Sequence, residues 1–145
     1  MQVFRPAEND AALVGWGVRV MLLAEDVPVG PKSTARRIAG FGGIIEREDE
    51  IYAALEAVIE DPAGYGLLVI ECDQFGGLDA GMKAFSMLGT LKHRLPVILI
   101  SKECEEQSFP RDRHFPIVLR APVTAVAMRV GFEHALRDRL IWRAA

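Results

Sequence analysis

The sequence predicts an α/β domain in which helices cover both faces of one parallel, five-stranded sheet. Short apolar runs recur at 18–24, 42–46, 67–70, 96–100 and 116–119. Stretches with apolar residues at helical spacing separate them. The runs are apolar throughout rather than alternating, as in strands covered on both sides. Right-handed crossovers then build one doubly wound sheet, for which the predicted order is 2-1-3-4-5. A chain of 145 residues suits one full-sized core. The division drawn is an irregular N-terminal arm over 1–17, with Trp16 packing on the body, and a domain over 18–145.

Each element has its own signal. "VRVMLLA" (18–24) is Val- and Leu-rich and ends in Glu25-Asp26. A helix follows, with Pro31 in its first turn and Gly40 at its C-cap. "GGIIE" (42–46) is the second strand. In 49–61, Ile51, Leu55, Val58 and Ile59 share a helical face, and Pro62 stops the helix. After "LLVI" (67–70), Asp79 is the expected cap of a helix over 80–93, with Phe85, Leu88 and Leu91 inward. "PVILI" (96–100) and "PIVL" (116–119) are the last strands. The final helix, 123–141, places Met128, Phe132, Leu136 and Leu140 in one stripe. Residues 102–116 should hold a fourth helix, but two prolines and a mixed polar composition predict a loop with at most one turn.

Seventeen basic against 20 acidic residues give a net charge of −3, which argues against a general nucleic-acid surface. No apolar run is long enough to cross a bilayer, and the N-terminus lacks the pattern of a secretory signal. Cys72 and Cys104 fit no paired metal spacing, and buried structural thiols are the expectation. His93, His114 and His134 are scattered and read as surface residues. A reduced, cytoplasmic protein is expected, with no membrane or nucleic-acid partner.

In sheets of this kind ligands sit beyond the carboxyl ends of the strands. The residues there are Glu25-Asp26, Glu71 to Asp73, Ser101-Lys102 and Arg120-Ala121-Pro122. Acids at the end of a buried strand are costly unless a cation, a partner charge or a ligand meets them.

Over 18–141 this constellation resembles the receiver domain of bacterial two-component response regulators, a flavodoxin-like fold. "LLAEDVP" matches the family's paired acids, Ser101 in "VILIS" its fourth-strand hydroxyl, and Pro122 in "LRAPV" its proline, which often follows a cis bond. The resemblance implies phosphoryl transfer to a carboxylate with Mg²⁺ neutralising charge. Asp26, and Glu25 through a water, would hold the Mg²⁺. Ser101 would donate to a phosphate oxygen. Counting forward through "GYGLLVI" makes Glu71 the acceptor; counting back from Gly81, the helix-start glycine, makes it Asp73. The two share a strand face by parity if the strand extends that far.

Departures accompany the likeness. Residue 121 is Ala where the family has lysine, and Val118 replaces its switch aromatic. Lys102 stands where a small residue is usual. Either Lys102 or Arg120 is left to replace the ammonium, or Lys102 plugs the pocket. A glutamate at the acceptor position would mimic the phosphorylated form instead of forming it.

The expected function is that of an atypical, stand-alone receiver-like signalling domain, without a DNA-binding output domain. It acts by binding a signalling protein and not by turnover. A histidine kinase is the partner that the resemblance implies, and a homodimer is compatible with it. The alternative is a small flavodoxin-like enzyme or ligand-binding module using the acidic crevice. "VPVGPKST" (27–34) resembles the end of a P-loop, but the first glycine is missing and Pro31 removes a cradle N–H.

Overall fold

The computed structural model describes residues 15–25 and 33–138. Five strands form a single sheet: β1 (Arg19–Leu23), β2 (Ile44–Glu48), β3 (Leu67–Glu71), β4 (Val97–Ser101) and β5 (Ile117–Arg120). Every neighbouring pair is parallel and the order is β2-β1-β3-β4-β5. The described helices are α1 (Thr34–Gly40), α2 (Ile51–Glu60), α3 (Leu78–Met87) and α4 (Ala125–Ala135). This is a flavodoxin-like α/β fold.

Period-two alternation sends each strand's side chains into two apolar layers. Val20, Leu22, Val69, Ile98, Ile100 and Leu119 pack beneath Ile38 of α1 and Met128 and Phe132 of α4. Met21, Leu23, Leu68, Ile70 and Leu99 pack beneath Leu55 and Val58 of α2 and Phe85 of α3. Each such side chain contributes about 1.5–3 kcal/mol by leaving water. β3 and β4 are inner strands with apolar side chains buried on both faces, which explains their uniformly apolar sequence.

No helix joins β4 to β5, as the prolines of 102–116 predict. The connection turns back along the outer edge of β5, where Ser108 and Val118 each donate to the other's carbonyl, at 2.9 and 3.0 Å. An edge strand that would otherwise present unpaired groups is thereby covered.

Several boundaries differ from expectation. β2 begins two residues late, because Gly42 (φ +90°) turns the chain after α1 and Gly43 lies against Ile38. Gly40 is the last residue of α1, and Phe41 follows as its C-cap. Ile59 is half-exposed, so the α2 stripe is narrower than the sequence implied. α3 ends at Met87, and a 3₁₀ turn, Gly89–His93, completes the stretch expected to be helical. Trp16 lies against Gly42 through both its backbone and the Cε3 edge of its ring, while more than half of the residue stays exposed. Leu140 and residues 1–14 lie outside the described residues.

On the outer strand β2, Glu46 accepts from the Tyr65 hydroxyl and from Arg19 Nε at 2.8 Å. The Tyr65 hydroxyl first, then Arg19, hold the Glu46 carboxyl below the usual carboxylate range. The Arg19 guanidinium also lies over the Tyr65 ring, 4.3 Å from its centre. This network ties β2 to β1 at the end of the sheet remote from the candidate site.

Candidate functional site

β3 ends at Glu71, and the chain enters a 3₁₀ turn over Cys72–Gln74. That turn breaks the parity expected to place Glu71 and Asp73 on one face. Asp73 swings across to the end of β4. There its Oδ1 accepts from the Ser101 hydroxyl at 2.6 Å and its Oδ2 from the Lys102 backbone N–H at 2.7 Å. Ser101 is fully buried, and its oxygen also accepts from the Glu103 N–H at 3.0 Å. Hydroxyl and carboxylate are thus already partnered.

Glu71 keeps the strand's alternation and points to the α1–α4 side. It lines a crevice of about 220 Å³ with Ser33, Thr34, Arg37, Ala121 and Pro122. Burial pushes its carboxyl above the ordinary glutamate value. Gln74 ties it to the end of β1: its Nε2 donates to Glu71 Oε1 at 3.4 Å, and its Oε1 accepts from Glu25 N at 2.6 Å. The Ala121–Pro122 bond is cis. Ala121, where the resemblance implies lysine, is one wall of the crevice. The Arg37 guanidinium is a second wall and donates to the Val123 carbonyl.

The other expected residues divide. Glu25 is exposed at the end of β1, and Asp26 lies outside the described residues, as does most of the 27–34 motif. Lys102 reaches Asp73 through its backbone, with its side chain on the exposed rim. Arg120 is turned to the 102–116 loop, where its Nε donates to the Cys104 carbonyl at 2.9 Å. It does not stand in for a lysine in the crevice. Glu25, Glu71 and Asp73 are the hard oxygen donors that Mg²⁺ takes. Asp73 is bonded to Ser101 and Lys102 and Glu71 to Gln74, and no three His, Cys, Asp or Glu side chains among the described residues are placed to hold a metal.

Sequence reasoning missed Glu103, Gln74 and Arg37. Glu103 is the cap that Asp79 was expected to be. The N-cap position of α3 is Gly77, which has no side chain to offer, and Glu103 Oε1 accepts from Leu78 N at 2.6 Å. Asp79 lies in the first turn, where its charge suits the helix dipole. The cysteines are buried, as expected. Burial pushes the Cys72 thiol up to about 12, so it is not a thiolate nucleophile. Gly81 is required by its neighbour: a Cβ there would lie 2.3 Å from Cys72 Sγ. His93 and His114, far apart in sequence, are in ring contact with centres 4.5 Å apart.

Sheet order and crevice define a flavodoxin-like α/β domain. No protein-family model matches the chain, and no curated protein matches it. Among solved structures, it is similar to a protein of Burkholderia pseudomallei described as pilus assembly-related. The match has a TM-score of 0.57 and 16% identity, and covers 83% of this chain and 90% of the other. At that identity the likeness supports the fold. No helix among the described residues is long and apolar enough to cross a membrane.

Proposed function

We propose that the chain is an atypical receiver-like signalling domain that works by docking a partner protein without being phosphorylated. The observation that carries this is the state of Asp73. The Ser101 hydroxyl and the Lys102 N–H, donors suited to phosphoryl oxygens, are spent on the acceptor carboxylate itself. A phosphoryl group on Asp73 would occupy one of these two oxygens and displace its donor, and no ammonium at residue 121 would meet its charge. Glu71, set deeper, has the longer carboxylate that imitates a phosphorylated aspartate without chemistry. A switch needs both a charge change and an element with two states. Here Val118 is locked to Ser108, and the helix that usually moves is a loop. The description of the structural neighbour as pilus assembly-related makes components of such an assembly the first partners to try.

The test is incubation with acetyl phosphate and Mg²⁺, read by intact mass. No adduct is expected. A stoichiometric phosphoryl adduct that Asp73→Asn abolishes would overturn the proposal and restore a phosphorylated switch.

A second reading rests on the crevice beside Glu71. A half-buried carboxyl facing Thr34 and Arg37 across open space suits a small polar ligand, as in a flavodoxin-like binding module. A small molecule whose binding is lost in Glu71→Gln and kept in Asp73→Asn would favour it.

A further inference from the structure

At the amino ends of β4 and β5, opposite the candidate site, the fold gathers positive charge from three distant segments. Lys92 and Arg94 come from the turn after α3, Arg111 and Arg113 from the loop before β5, and Arg137 from just beyond α4. Lys92, Arg113, Arg137 and the exposed Phe115 border one shallow cleft over Phe85 and Ile117. The guanidiniums are held in place. Arg113 donates to the carbonyls of Arg94 and Ala135, and Arg137 to those of Arg111 and His134. Backbone carbonyls orient these groups and leave their charge in place. Two acids lie among them: Asp138 is 3.1 Å from Arg113, and Asp112 is paired with His114. Five cations therefore face two acids, on a chain whose net charge is −3.

We infer that this cleft docks an acidic segment of a partner protein, in which carboxylates alternate with apolar side chains. The inference rests on the docking function proposed above and gives the partner its chemistry. Exposed guanidiniums such as those of Arg94 and Arg111 favour discrete, bidentate carboxylates, and Arg113 and Arg137, whose Nη atoms already donate within the fold, add positive charge. Phe115 and the apolar cleft floor offer contact to the side chains between them. Distance argues against a bilayer or a nucleic acid. Screening confines exposed charges to about 8–10 Å, so a short segment meets the local positive excess. An extended anionic surface also meets the rest of an acidic protein, and Asp112 and Asp138 within the patch.

The full chain is titrated against a fluorescein-labelled peptide of alternating glutamate and leucine, read by anisotropy. Binding is expected to weaken with added salt. It should weaken by at least about tenfold in Arg94→Glu/Arg111→Glu, whose side chains are exposed, with melting confirming the fold. Should that pair fail to fold, Arg111→Gln is read in its place, with a smaller loss expected. Glu105→Lys/Glu106→Lys, at the opposite edge, should leave affinity unchanged. Unaltered affinity in the arginine variants overturns the inference. So does tighter binding to phosphatidylserine vesicles or a short DNA strand that the same variants abolish. A phosphoryl adduct on Asp73 would refute the constitutive reading and leave the peptide result standing.

Discussion

The Glu71 carboxyl titrates above its ordinary value because the protein around it has replaced water. The sign of the consequence follows from linkage. Below about pH 4 the group is protonated in both folded and unfolded chains and costs nothing. As pH rises through the ordinary value the unfolded chain ionises first, so stability is lost until the folded pKa is passed. Glu71→Gln should therefore raise the melting temperature at pH 7, by about 2 °C, and the gain should vanish near pH 4. Thermal melts of both proteins at the two pH values check this. A variant less stable at pH 7 would mean that the charged carboxylate has a stabilising partner.

At the scale of elements, α3 is fastened to the sheet where Gly81 lies on Cys72. Gly81→Ala would press a methyl against the sulfur and should cost about 1–3 kcal/mol, the usual range for overpacking. In a Cys72→Ala background the sulfur is gone, and the nearest remaining atoms, the residue 72 Cβ and Leu99 Cδ2, are 3.4 Å away. The same substitution should then cost clearly less. Denaturant melts of the two single variants and the double variant form the cycle that measures this coupling. Strict additivity would mean that the helix shifts away instead of clashing. The α3 start depends on the sheet edge as well, since Glu103 supplies the bond that Gly77 cannot.

Across the whole molecule, stability should follow the sheet order. β1, β3 and β4 lie inside the sheet, and the apolar layers meet on them. Their amides should exchange slowest with deuterium, near the global unfolding limit. The 102–116 connection should exchange early, except at Ser108, whose N–H is bonded to β5, and at Lys102 to Cys104, whose N–H groups are bonded at the end of β4. Fast exchange throughout β4, or slow exchange throughout the connection, would contradict this arrangement. Charge is divided on the same scale. Acids gather at the carboxyl edge and cations at the amino edge of β4 and β5.

Local pattern was enough to place the five strands to within about two residues and to predict the missing helix, while the strand order is that of the family the strand ends resemble. Five short apolar runs separated by helical patterns suit a doubly covered sheet, and prolines at 110 and 116 interrupt any helix running through them. It also singled out Ser101 and Asp73 as candidates, because strand ends are where such sheets expose chemistry. Tertiary structure decided which groups meet. Asp73 and Ser101 are 28 residues apart, and Glu103 and Leu78 are 25 apart. Whether Asp73 follows Glu71's face depended on a turn of three residues, Cys72–Gln74, that alternation cannot anticipate. The basic cleft is built from turn, loop and helix end, each unremarkable alone. A hydrogen bond or a local field depends on distance in space, and sequence spacing reports that distance only within a single helix or strand.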